Sequence, residues 1–184
     1  MHYRTGTYVA FDGLGEADPS KSDFRYYATL QAWDANKDID FKLTNSHEKT
    51  YVVRDDSLKS TLKDRICERL SQSKNMVVVL SEDTRKSGSM LSFEIEKAVD
   101  VYKLPLIIAY PGYNSILHVE SHRSVWPTVL SQRIDNGTAR AIHVPFKKDP
   151  ILDAIGQFTV QKSSLTSGKN YYTLKSYQTW GLHD

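Results

Sequence analysis

Two unbroken apolar runs, MVVVL at 76–80 and LPLIIAY at 104–110, constrain this chain more than any other feature. Neither alternates with polar residues, so a strand built from either carries apolar side chains on both faces. That is the pattern of strands covered on both sides in a parallel sheet. Three further short runs, Thr7 to Phe11, Asp40 to Leu43 and Ala139 to Val144, are bounded by turn residues and complete a set of about five candidate strands.

Helical patterns fall between the runs. Tyr26, Tyr27, Leu30 and Trp33 mark an apolar face over residues 22–35. Leu58, Leu62, Ile66 and Leu70 keep a strict four-residue step after RDDS, where Asp55, Asp56 or Ser57 can cap the exposed amides. A third helix starts at Ser87, Gly88 or Ser89 and turns Leu91, Ile95, Ala98 and Tyr102 to one side. Strand and helix in repeated alternation predict an open α/β sheet with right-handed crossovers, a flavodoxin-like three-layer sandwich around a parallel sheet of about five strands. Past IHVPF the pattern weakens into a short helix, DPILDAIGQF, and a polar tail. The chain thus divides into an α/β domain over 1–145 and a C-terminal extension over 146–184, either packed on the domain or partly disordered. Packing is favoured by the cost of leaving Tyr171, Tyr172, Tyr177 and Trp180 in water.

With 184 residues the chain suits one domain plus an appendage. Its formal charge of +2 is dispersed and calls for no nucleic-acid partner. The N-terminus lacks an apolar signal core and no segment approaches a membrane span, so the expected compartment is the cytoplasm with no membrane partner. One cysteine, Cys67, excludes an internal disulfide and a multi-cysteine zinc site, and reads as a half-buried small hydrophobe rather than a nucleophile. The six histidines form no HExxH pair, so no metal is expected. GLGEAD lacks the third glycine of a dinucleotide fingerprint, no GKS or GKT follows a glycine loop, and SGSML makes a poor nucleophile elbow.

In an open parallel sheet, ligands bind beyond the carboxyl ends of the strands, at the switch in winding direction. That rule nominates the loops after the first three strands and, within them, Asp12, Asn45, Ser46, His47, Arg54 and Ser81. The third of these loops leads into the helix SMLSFEIEKAVD, where an acid, Glu94, stands between Phe93 and Ile95 at the edge of the apolar face. Residue type and spacing leave two readings open. Glu94 either suits the helix start and pairs with Lys97 or Arg85, or it is a partly desolvated acid facing the crevice, where perturbed acids serve function.

TYVAFD, YYATLQAW, IDFKLTNSH, RDDSLKSTLKDRICERLSQSKNMVVVLSEDT and FEIEKAVDVYKLPLIIAY follow one another in order. In that order and spacing the chain resembles the TIR-like family that includes the Thoeris antiphage subunits of ThsB type. The likeness covers about residues 6–112 and continues more weakly to Pro145. The resemblance implies that Glu94 is the catalytic glutamate of NAD cleavage and that Phe93 flanks it. It also implies that Phe11 and Asp12 border the nicotinamide and its ribose, and that Asn45, Ser46 and His47 line the neighbouring loop. NAD would be the substrate, with no bound cofactor, and the product would act on a separate nucleotide-sensing effector protein. A homo-oligomer fits the same family. Relatives carry a tryptophan four residues before the glutamate, and this chain does not, which alters the stacking surface for nicotinamide. Two other expectations stand beside this one: a non-enzymatic TIR module that assembles through its surface, and a nucleoside deoxyribosyltransferase-like enzyme.

Overall fold

A computed structural model describes residues 3–14, 23–39, 41–44 and 56–182. The apolar runs become β1 (Gly6–Ala10), β2 (Ser73–Val79), β3 (Leu106–Tyr110) and β4 (Ala141–Pro145), joined at one edge by the two-residue β5 (Asn170–Tyr171). All pairs are parallel, in the order β1-β2-β3-β4-β5. The helices are α1 (Phe24–Ala35), α2 (Asp56–Gln72), α3 (Met90–Asp100), α4 (Thr128–Asp135), α5 (Lys148–Gln157) and α6 (Leu174–Thr179), with a 3-10 segment at Val119–Val125.

The period-two alternation of the strands divides the core into two layers. Tyr8, Ala10, Met76, Val78, Leu106 and Ile108 face α2, α3 and α4, meeting Ile66, Leu70, Leu91, Ile95 and Leu130. Val9, Phe11, Val77, Val79, Ile107 and Ala109 face α1 and α5, meeting Tyr27, Leu30, Ile151 and Ile155. Each fully buried Val, Leu or Ile in these layers stabilises the fold by roughly 1.5–3 kcal/mol. Helices on both faces of an all-parallel sheet make the flavodoxin-like α/β sandwich.

One expected strand is corrected. Of the run Asp40 to Leu43, the described residues give only an isolated parallel bridge, Thr7 to Leu43, on the free edge of β1. Thr7 donates to Lys42 and Thr44 donates to Thr7, both at 2.9 Å, but the outward N–H of Leu43 goes to the Asp34 carboxylate at 3.0 Å. A side chain of α1 therefore takes the N–H that a further strand on the outer edge would otherwise use. Gly6 permits the approach, since a Cβ there would lie 2.0 Å from Thr44 Oγ1. Residues 41–44 on one side of β1 and β2 on the other make β1 the point where the winding reverses.

The segments after β4 complete the sheet's cover. Tyr177 of α6 is wholly buried, and Tyr172 and Trp180 meet edge to face with ring centroids 5.0 Å apart. His143 of β4 is fully buried and spends both ring nitrogens. Its Nε2 lies 2.8 Å from the Gly168 carbonyl, which only accepts, so Nδ1 accepts from Tyr110 Oη at 2.7 Å; Trp126 Nε1 donates to that hydroxyl at 2.8 Å. Burial pushes the His143 pKa down to about 4, so the chain of donors is built on a neutral ring.

Candidate active site

The carboxyl ends of β1 and β2 converge on three buried carboxylates and one guanidinium. Asp12 follows β1 and is 1% exposed. Asp23 precedes α1, Ser81 follows β2, and the loop from Ser81 to Ser89 carries Arg85 before delivering α3 and Glu94. Glu82 and Asp83 of the same loop face solvent.

Glu94 is more deeply placed than the sequence suggests: only 3% of it is exposed, among Leu91, Ile95 and Ala98. Its partner is neither Lys97 nor Arg85. Tyr8, in β1, points to the α3 face of the sheet and donates its hydroxyl to Glu94 Oε1 at 2.5 Å. Lys97 lies against the Phe93 ring, and Arg85 pairs with Asp12. Burial pushes the Glu94 pKa up to about 8; the Tyr8 bond counteracts this, and the negative charge of Asp12 adds to it. Tyr8 in turn is raised well above its ordinary value, by burial first and then by Glu94.

Asp12 is an organiser of the loops. Its Oδ1 accepts from the Leu14 backbone at 2.9 Å, closing a turn, and from Arg85 Nη2 at 2.6 Å. Its Oδ2 accepts from the Arg85 backbone at 2.9 Å and from Nε at 3.0 Å. Burial alone would raise this carboxyl, but the Arg85 and Leu14 bonds hold it below the usual range. Ser81 donates its hydroxyl to Asp23 Oδ2 at 2.9 Å. Burial, with the charges of Asp12 and Asp83, carries Asp23 up to about 6 against the opposing effect of Ser81 and Arg25.

The expected site residues thus separate. Glu94, Asp12 and Ser81 gather at the crevice. Phe11 lies on the opposite face of the sheet, 4% exposed, with its ring centroid 5.7 Å from that of Tyr27 and 6.2 Å from that of Phe24. Phe93 turns toward α2, with Lys63 of α2 5.1 Å and Lys97 of its own helix 5.5 Å from its ring centroid. Asn45, Ser46, His47 and Arg54 lie outside the described residues.

Sequence reasoning missed Tyr8 and Asp23 and gave Arg85 the wrong partner. The available signal for Tyr8 was its parity with Ala10, which sets both on the α3 side of β1, together with a hydroxyl in an otherwise apolar run.

Beside the crevice a cavity of about 80 Å³ opens between Ser81, Glu82, Tyr110, Tyr113 and His122. It has room for a small group or a few waters, not for a dinucleotide. Among the described residues no three metal-ligating side chains come together, and no helix is long and apolar enough to cross a membrane.

A doubly wound α/β domain with a desolvated acid at its switch point is the class that fold and site define. Within it, the family model for the TIR-like domain of the Thoeris protein ThsB matches residues 8–116, more than half of the chain, and the chain belongs to that family of antiphage defence proteins.

Proposed function

We propose that this protein is a TIR-type enzyme that cleaves the bond between nicotinamide and ribose in NAD and makes an ADP-ribose-derived signalling nucleotide. The observation that carries the reading is Glu94: a carboxylate held out of water, at the switch-point crevice, inside the family-matched span. A protein gains nothing in stability by burying an acid that must be kept protonated to stay there.

In the reaction the C1′–N bond breaks heterolytically and its electron pair leaves with the nicotinamide ring, which becomes neutral. The ribose is left as an oxocarbenium-like cation. Ionised Glu94 accepts hydrogen bonds from the ribose hydroxyls and stabilises that cation, as carboxylates do in glycoside hydrolysis. The positive nicotinamide ring of the substrate favours ionisation of Glu94 on binding, which offsets the upward shift caused by burial. Capture of the cation by water yields ADP-ribose and a proton. Capture by the substrate's own adenine or ribose yields a cyclic isomer, and capture by an added small molecule yields a conjugate. The product then acts on a separate nucleotide-sensing effector.

The site would become competent for NAD only on activation. Association between copies or a trigger from infected cells would supply it. The test is nicotinamide release from NAD by the purified protein, with and without lysate of phage-infected cells, alongside Glu94→Gln. Release that vanishes in the variant supports the reading. If neither protein releases nicotinamide, even at high concentration, the scaffold reading takes its place; cleavage of deoxynucleosides but not of NAD would favour the deoxyribosyltransferase-like reading.

A further inference from the structure

We infer that Arg85 receives a phosphate of the substrate and so selects a phosphorylated ligand for the Glu94 crevice. The inference rests on the reading of that crevice as a site for NAD, and goes beyond it by assigning the residue that recognises the diphosphate.

Arg85 carries more donors than Asp12 uses. A guanidinium has five N–H groups. Arg85 spends Nε–H and one Nη2–H on Asp12, and its backbone N–H goes to the same carboxylate. Both hydrogens of Nη1 and the second hydrogen of Nη2 take no acceptor among the described residues. The side chain is 44% exposed, so these three donors sit at the mouth of the crevice. A guanidinium pinned on one edge by a buried carboxylate presents its other edge in a fixed orientation. That is a prepared receptor for the oxygens of a phosphate.

This end of the sheet is rich in acids. Asp12, Asp23, Glu82, Asp83 and Glu94 all belong to this end of the sheet and would repel an anionic substrate. The other cation of the Ser81–Ser89 loop is spent: Lys86 Nζ donates to the carbonyls of Arg123, Ser124 and Trp126. Arg85 is therefore the cation with free donors in the loop that leads to Glu94. A purely structural partner for Asp12 would not need its second edge open to solvent.

Two measurements test this, one of which needs no catalysis. Calorimetric titration with inorganic pyrophosphate and with ADP-ribose is expected to show binding that weakens about 10- to 100-fold in Arg85→Gln, the loss typical of charge-assisted hydrogen bonds. Arg85→Lys, which leaves Asp12 a cation but removes the fork, is expected to fall between the two, and thermal melts confirm that both variants fold. Equal binding by the wild type and Arg85→Gln, or none by either, overturns the assignment. In the activity arm the substrates are NAD, nicotinamide mononucleotide and nicotinamide riboside, which carry two, one and no phosphates. The KM for the phosphorylated pair is expected to rise in Arg85→Gln about tenfold more than the KM for the riboside. An equal loss on all three substrates overturns the proposal and leaves Arg85 as a support for Asp12. If the wild type cleaves none of them, the proposed activity fails, and the pyrophosphate titration still decides the role of Arg85.

Discussion

Replacing Glu94 by Gln is expected to stabilise the protein above neutral pH while abolishing its activity. The unfolded chain titrates this carboxyl near its ordinary 4.5, whereas the fold moves it to about 8. Between those values the folded state holds a proton that the unfolded state has lost, so stability falls as pH rises, by up to ~1.4 kcal/mol per unit, and levels off above the folded pKa. From pH 6 to pH 8 the integrated loss is about 2 kcal/mol, or roughly 4–8 °C in Tm for a chain of this size. The amide of Gln keeps the Tyr8 hydroxyl bonded and has no charge to desolvate, so this component disappears. The assay is a series of thermal or urea melts of both proteins from pH 5 to pH 9, read as the difference between them. That difference removes other titrating groups such as His143, whose contribution is common to both. A gap that widens in favour of Glu94→Gln between pH 6 and pH 8 supports the burial argument. Parallel curves refute it, and would mean that Glu94 reaches water freely in the folded protein.

Two further perturbations follow from the same geometry. Tyr8→Phe removes the donor that lowers the Glu94 pKa, so the ionised, active form is expected only at higher pH. The limb of the pH profile of kcat/KM that rises toward pH 8 should shift further to the alkaline side; an unchanged limb would separate Tyr8 from the chemistry. His143→Leu strips Tyr110 Oη of its acceptor and the Gly168 carbonyl of its donor, at an expected cost of about 2–4 kcal/mol in urea unfolding. Because the His143 pKa is about 4 in the fold and ordinarily 6.5, the wild type loses stability as pH falls from 6.5 toward 4. The variant should lack that acid-side loss, and a persistent one would place the titrating group elsewhere.

Much of the fold is legible in the sequence because its signals are local. MVVVL and LPLIIAY became β2 and β3 through uninterrupted apolar character, and the 62/66/70 step became the buried stripe of α2 through helical period. Asp40 to Leu43 carries a similar signal, yet its described residues give only a bridge from Leu43 to Thr7, and the Asp34 carboxylate takes the outer N–H of Leu43. The site was less legible. Phe93 and Glu94 adjoin in sequence, but a helix rotates successive residues by about 100°, and that rotation sends one toward α2 and the other under β1. Phe11 and Asp12 separate for a similar reason, one closing the α1 layer and the other turning into the crevice.

The sequence by itself determined the layers, the alternation of strand and helix, and the presence of an acid at the start of the third helix, since all three depend on spacing along the chain. Only the tertiary structure decided that Glu94 is buried and bonded to Tyr8, 86 residues away, and that Asp12 belongs to Arg85, 73 residues away. A carboxylate's pKa depends on which dipoles and charges surround it and how much water reaches it. Those neighbours come from β1 and the loop after β2, which meet only when the sheet closes between them.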